Sequence, residues 1–424
     1  MARTDKAGRP VIAVTGMGLV TPLGVGKEEN WAKLTAGESG IRRISRFPTD
    51  NLRTTIAGTV DNFYHDGMAP SELCEISARV AGEEAIAQSG IGSKGRFPGP
   101  LFLAMPPIEL EWFQRLAIAK AARKNEDISY SDLTRTAPQA EFSPYYETAM
   151  YGIVGEHLTE HFGTEGSPIS LTTACASGGT AIQLGVEAIQ RGECQAAFAI
   201  GADASVTAES LIRFSLLSAL STQNDPPQQT SKPFSKNRDG FVIAEGAGAL
   251  VLESLDHALA RGAKVLGIIE GCGEKSDSFH RTRSSPDGKP IISCMRNGLA
   301  DAGLEPDQID YINAHGTSTP ENDKMECLGV STVFGERIKS IPISSNKSMI
   351  GHTLTAAGAI EAIVTLLTIQ NQRIPPTINY LVPDPAIPLD VVPNKARDAR
   401  VTHAISNSFG FGGQNVSLVM TGEP

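Results

Sequence analysis

The chain holds six cysteines and eight histidines, and three of these residues sit where small side chains crowd a change of secondary structure. Cys175 lies in PISLTTACASGG, between Ala174 and Ala176. Before it runs a β-prone stretch with Ile169 and Leu171; after it comes a helical pattern with Ala181, Leu184, Gly185 and Ala188. A thiol at that turn faces the positive end of a helix dipole, which favours the thiolate. Ser177, Gly178 and Gly179 leave room for a substrate to approach the backbone. A structural cysteine filling a small gap has the same local sequence. His315 ends a strand in NAHGTSTPENDKMECLG, and His352 follows a turn in NKSMIGHTLTAAG. Cysteine with histidine is the signature of thiolate nucleophilic catalysis. Two neutral histidines add something more: paired N–H donors for an enolate or carboxylate-derived charge. The glycine-rich turn 407–415, NSFGFGGQN, precedes an apolar strand from Val416 to Met420 and leaves N–H groups free for an oxyanion. A plain hairpin turn reads the same way.

The elements that must position these residues alternate between strand and helix. Val11 to Val14 reads as a strand ending in Thr15-Gly16-Met17-Gly18. Its Gly-x-Gly is a weak nucleotide signal, because the third glycine is missing and Pro22 interrupts the next turn. Helices are predicted over Glu28 to Ala36, Ser71 to Ser89, Asp256 to Arg261 and Ile291 to Ala302. Strands are predicted over Ala196 to Ile200, Lys264 to Glu270 and Ile309 to Ala314, with a turn into a buried strand over Phe241 to Glu253. Ile108 to Met150 mixes aromatics and charges with no clear strand, as pocket walls, lids and interfaces do. One internal match stands out: residues 168–189 against 342–367, both running from PIS through a small-residue turn into a helix of Ala, Gly and Ile. It predicts two copies of one α/β unit, 1–262 and 263–424, with their turns near a pseudo-twofold axis.

Composition narrows the partners. At 424 residues the chain exceeds a single core. The net charge of −10 argues against general nucleic-acid binding and leaves room for a small basic patch. The six cysteines form no CxxC pair or zinc spacing, so no disulfide scaffold and no metal site is predicted. The polar start MARTDKAGRP leads straight to a strand, and no apolar run of membrane-spanning length is expected, which reads as a soluble, cytoplasmic protein.

Six motifs occur in one order: TACASG, LSALSTQND, RDGFVIAEGAGALVLE, GLADAGLEPDQIDYINAHGTSTPENDKME, NKSMIGHTLTAAG and NSFGFGGQN, with VTGMGLVTPLG near the start. The set resembles the elongating β-ketoacyl-[acyl-carrier-protein] synthases of the thiolase-like superfamily. The resemblance implies an α/β fold of five layers, α/β/α/β/α, built from two similar halves and acting as a homodimer. It implies a ping-pong Claisen condensation in which Cys175 accepts an acyl group from the phosphopantetheine arm of an acyl carrier protein. His315 and His352 would then bind the malonyl thioester carbonyl and assist loss of carbon dioxide. The N–H groups of Cys175 and Phe411 would hold the oxyanion, with Phe411 also a gate. Asp323, Glu326 and Lys347 match a buried charged cluster behind the histidines, Lys347 pairing with Glu326. Thr282, Thr317 and Thr319 match residues that hold the pantetheine arm. No metal and no cofactor beyond that arm is implied. The Cys-His-His set differs from the His and Asn of initiating enzymes and from the second catalytic Cys of degradative thiolases.

The chain also departs from the family's pattern. Gln223 stands where a basic carrier-docking residue is common, Lys232 where Arg is usual, Gln414 where Thr is usual, and Thr355 at a common Gly position. Arg281, Arg283, Lys232 and Lys236 remain candidates for a basic docking patch. MPPIELEWFQ and the residues that follow, the insertion 106–150, lack the usual Gly-rich wall, which suggests an altered, very-long-chain acyl preference or a dedicated carrier. A polyketide- or nodulation-type ketosynthase shares every motif, and a non-catalytic partner subunit of a heterodimer is the remaining alternative.

Overall fold

The computed structural model describes residues 4–93, 95–123 and 127–422. Ten strands carry the fold: β1 (Ile12–Thr21), β2 (Leu101–Ala104), β3 (Ile169–Leu171), β4 (Ala196–Asp203), β5 (Gly246–Ser254), β6 (Gly267–Ser276), β7 (Tyr311–Asn313), β8 (Ile343–Ser344), β9 (His403–Phe409) and β10 (Gln414–Thr421). They lie in the order β8-β7-β9-β10-β6-β1-β5-β4-β2-β3. Outward from β1, the pairings β1–β5 and β5–β4 are antiparallel, and β4–β2 and β2–β3 are parallel. Outward from β6 the same sequence recurs: β6–β10 and β10–β9 antiparallel, β9–β7 and β7–β8 parallel. Among the described residues, the two sets of strands pair only where Ile12–Val14 of β1 meets residues 267–269 of β6.

The helices are α1 (Lys27–Ala36), α2 (Pro70–Ser89), α3 (Trp112–Ala122), α4 (Tyr130–Thr136), α5 (Ser143–Ala149), α6 (Ile153–Phe162), α7 (Ser177–Gln190), α8 (Ala208–Leu216), α9 (Leu255–Ala260), α10 (Lys289–Ala302), α11 (Pro320–Phe334), α12 (Lys347–Ile350) and α13 (Ala357–Asn371). α2 covers β1 and β5; α10 covers β6 and β10, with α11 against it; α7 and α13 pack on each other between the two strand sets. The layer order is α/β/α/β/α.

Glycines set the closest of these contacts. A Cβ on Gly178 would stand 2.5 Å from the Ala359 nitrogen, and one on Gly358 2.4 Å from the Gly179 nitrogen. So α7 and α13 cross backbone to backbone beside the turns that carry Cys175 and His352. This corrects the expectation that Gly178 and Gly179 open the backbone to substrate. The Gly-x-Gly of β1 has a packing role too, since a Cβ on Gly16 or Gly18 would strike the carbonyl of Ala85 or Ala81 on α2.

The structure differs from the sequence pattern in four places. The strand predicted over Val11 to Val14 runs on through Gly16 and Gly18 to Thr21, with an irregularity between Val14 and Gly16 in place of a turn. The strand predicted over 264–270 begins at Gly267 and runs on to Ser276. The segment predicted to be irregular holds α3, α4 and α5; their aromatics Trp112, Phe113, Tyr130 and Tyr146 face outward, which hides the apolar stripe of a buried helix. Residues 124–126 of that segment lie outside the described residues. A stretch of membrane-spanning length and composition does exist, Leu354–Asn371, and 83% of it is buried inside the protein as a core helix.

Candidate active site

Cys175 follows β3 and stands two residues before α7. Ala174 adopts a left-handed φ of 49°, and the turn is held by Thr173 N–H donating to Ser177 Oγ (2.8 Å) and Ser177 Oγ–H donating to the Ala174 carbonyl (2.6 Å). This strained, over-determined turn fixes the direction of the thiol. The sulfur accepts twice, from the Phe411 N–H and from His352 Nε2 at 3.1 Å. A Cβ on Gly410 would stand 2.9 Å from the Thr173 carbonyl, so the loop carrying Phe411 meets the cysteine turn at van der Waals contact.

The two histidine rings meet edge to face with centroids 5.3 Å apart. Leu354 N–H donates to His352 Nδ1 at 3.2 Å. Lys347 Nζ lies 3.5 Å from His315 Nδ1 and donates to the His315 carbonyl at 2.7 Å. With both Nδ1 atoms accepting, each ring carries its proton on Nε2. Burial and the Lys347 charge hold both histidines well below their usual range, so both stay neutral. The site therefore offers two N–H donors beside one sulfur.

The ligand atoms of Cys175, His315 and His352 lie within 4.8 Å of one another, a spacing a soft metal would accept. Metal binding would need the Nε2 lone pairs, and so would displace the protons that the Nδ1 partners hold there.

The charged cluster differs from expectation in one respect. Lys347 forms its ion pair with Glu361 of α13, both residues being 1% exposed, and not with Glu326. Glu326 accepts instead from the His315 N–H (2.8 Å) and the Gly316 N–H (2.7 Å), fixing the histidine loop from behind. Asp323 accepts from the Phe234 N–H at 2.7 Å and lies 3.4 Å from Arg238 Nε. Burial raises all three carboxyls, Glu326 and Glu361 to about 7. The motifs do not point to Glu361, but a simpler signal does: it is the one charged residue in an otherwise apolar helix, AAGAIEAIVTLLTI. A buried lone carboxylate requires a partner.

The thiol also differs. The sequence predicts a thiolate favoured by the helix terminus; burial instead pushes Cys175 up to about 11, against the pull of the Phe411 N–H and Lys347. Desolvation is the largest influence on the resting thiol.

Cys175, His315 and His352 open onto one cavity of about 970 Å³, also lined by Thr282, Thr317, Thr319 and Phe411. The hydroxyls of Thr317 and Thr319 are 2.8 Å apart, and Thr282 N–H donates to His280 Nδ1 at 3.1 Å. Pro106, Pro107 and Glu109 add a wall from the insertion 106–150. Arg281, Arg283 and Lys236 keep solvent contact, but Lys232 is buried against Gln223 and cannot join a surface patch.

Comparison with known proteins is consistent over nearly the whole chain. Residues 9–85 and 114–258 match the family described as "Beta-ketoacyl synthase, N-terminal domain", and 266–381 match "Beta-ketoacyl synthase, C-terminal domain". The chain belongs to the beta-ketoacyl synthase family. A beta-ketoacyl synthase named "3-oxoacyl-[acyl-carrier-protein] synthase 2" from Coxiella burnetii is 36% identical over 426 residues, covering 97% of this chain and 98% of that protein. Its Vibrio cholerae namesake is also 36% identical, covering 96% and 98%. Among solved structures, a complex described as "type II PKS acyl-carrier protein in complex with its ketosynthase bound to the hexaketide" matches with TM-score 0.86 and 30% identity over 98% of this chain and 100% of that one. A beta-ketoacyl synthase from Burkholderia phymatum STM815 matches with TM-score 0.83 and 32% identity, covering 98% and 100%. The fold is that of the thiolase-like ketosynthases. The family match skips 86–113, which contains most of MPPIELEWFQ.

Proposed function

We propose that this beta-ketoacyl synthase condenses a Cys175-bound acyl chain with a malonyl thioester, extending the chain by two carbons. The acyl carbonyl carbon bonds to Cys175 Sγ and the carrier's phosphopantetheine thiol leaves. Malonyl on a second acyl carrier protein then loses carbon dioxide, and the electron pair passes into its thioester carbonyl as an enolate. His315 and His352 donate their Nε2–H groups to that oxygen. The enolate carbon attacks the Cys175 thioester, the N–H groups of Cys175 and Phe411 hold the tetrahedral oxyanion, and Cys175 leaves as a thiolate. Lys347 and Glu326 orient the His315 loop, Asp323 braces it through Arg238 and the Phe234 N–H, and Thr282, Thr317 and Thr319 bind the pantetheine arm. No metal or cofactor beyond that arm takes part. The observation that carries this reading is the 3.1 Å contact between Cys175 Sγ and His352 Nε2, with both histidines held as Nε2–H donors from behind. That intact trio is what a non-catalytic partner subunit would lack.

A polyketide-type substrate is the second reading. It is favoured by the cavity wall, where Arg213 binds Glu109 through two bonds of 2.8 and 2.7 Å. A charged wall suits a chain bearing oxygens better than a saturated one. A panel of acyl carriers of increasing length, with and without β-oxygens, separates these readings by condensation rate. Best turnover with saturated chains supports fatty acid elongation, including a very-long-chain preference. Best turnover with oxygenated chains supports the second reading. No condensation with any member sinks both.

The same reading includes two halves joined at 262/263, a cytoplasmic setting and a homodimer. The edge strand β3 exposes Ile169, and Trp112 and Phe113 of the insertion stand half exposed or more. Such an apolar edge suits pairing with a second copy. Sedimentation of the protein and of Ile169→Lys tests this; a monomer in both would overturn it.

A further inference from the structure

Two buried carboxylates that line the cavity, Asp203 and Asp277, have no part in the chemistry above, and the first adjoins the turn after His352. Asp203 ends β4, is 1% exposed and lines the cavity wall with Cys175. Its Oδ1 accepts from the Ser205 N–H at 2.9 Å. Its Oδ2 accepts from the Thr355 N–H at 3.1 Å and from Thr355 Oγ1 at 2.6 Å. Thr355 is the residue that stands where glycine is common, and its hydroxyl also lies 2.8 Å from the Ala202 carbonyl.

Thr355 sits in the short turn Leu354–Ala356, between His352 and α13. Leu354 takes a left-handed φ of 44°, a conformation that a leucine keeps only where its surroundings hold it. Its N–H is the group that donates to His352 Nδ1 and so sets the proton on Nε2. The chain of contacts is continuous: β4 terminus, Asp203, Thr355, Leu354, His352, Cys175.

We propose that Asp203 and Thr355 are a positioning pair that holds the turn after His352, so that the His352 Nε2–H stays aimed at the Cys175 sulfur. A carboxylate suits the role because both of its oxygens accept; a carboxamide of the same size offers one acceptor and leaves either the Ser205 or the Thr355 N–H unmatched. The inference rests on His352 acting as an N–H donor, and its test reads the ring directly, with no substrate.

The test uses the full chain labelled with ¹⁵N-histidine, the His352 signals being assigned by their loss in His352→Gln. The unsubstituted protein is expected to show one tautomer, protonated at Nε2. Asp203→Asn is expected to give a mixture of tautomers and a condensation rate lower by roughly tenfold to a hundredfold. Thr355→Val keeps the N–H and loses only the hydroxyl, so it folds with the turn intact, shifts the same signals less and costs about threefold in rate. Wild-type ring signals in both variants would overturn the proposal, whatever the rates. Shifted ring signals in a protein that condenses nothing would leave the pair in place and count against the proposed reaction instead.

Discussion

Two turns of this protein start from the same plan and do opposite work. In one, β3 leads through Thr173 to Ala176 into α7 and presents a sulfur. In the other, β8 leads through Lys347 to Ala356 into α13 and presents an N–H donor and a buried cation. β3 and β8 hold equivalent outermost places in the sheet order, and α7 and α13 cross at Gly178, Gly179 and Gly358. The difference is length. The first turn is tight, strained at Ala174 and ends two residues after the sulfur. The second is long enough for a short helix and a 3₁₀ turn, and it brings His352 Nε2 to the sulfur of the first. One scaffold thus supplies acceptor and donor by changing only what lies between strand and helix.

The comparison breaks most strongly at its donors. His315→Gln and His352→Gln are each expected to slow malonyl decarboxylation by a hundredfold to a thousandfold, roughly what losing one oriented donor costs. Steady-state rates measure it, and a loss under tenfold would mean the rings are not the donors. Next comes the ion pair that only the longer turn carries. Lys347→Met leaves the Glu361 carboxyl buried without its partner and is expected to destabilise the fold by about 3–5 kcal/mol, read by thermal or denaturant unfolding. Adding Glu361→Gln should recover part of that loss.

The shared crossing is the third place to press. Gly178→Ala drives a Cβ to 2.5 Å from the Ala359 nitrogen, and about 1–3 kcal/mol of stability should be lost. Gly152→Ala, whose Cβ would meet only Glu156 at 4.0 Å, serves as the control and should change little. The smallest effect concerns the tight turn's own dipole. With the thiol raised to about 11, thiolate falls as pH falls, so Cys175 alkylation by iodoacetamide should rise about tenfold per pH unit from neutral pH upward. A plateau below pH 8 would show that the helix terminus outweighs burial.

Much of the site is legible in the amino-acid sequence. Cys175, His315 and His352 stand out as candidates because each sits among small residues at an element end, and the fold brings all three to one cavity. The repeat of PIS-turn-helix is legible for the same reason, as local composition. Pairing across distance is not. The motifs match Lys347 to Glu326, yet its partner Glu361 lies one helical turn inside α13, and only the packing of that helix decides the choice. Gly178 and Gly179 read as room for substrate because a sequence shows an absent side chain but not what fills its place. The direction of the thiol's shift is hidden because dipole and burial oppose each other, and burial is a property of the whole fold. α3 to α5 escape a periodicity reading because their exposed aromatics mask the helical stripe.

The most direct test of the central claim is intact-mass measurement of the protein and of Cys175→Ala after incubation with a series of acyl carrier proteins. The account predicts a gain of one acyl group in the unsubstituted protein, absent in the variant. Acylation that persists in Cys175→Ala, or none with any carrier in the unsubstituted protein, would contradict it.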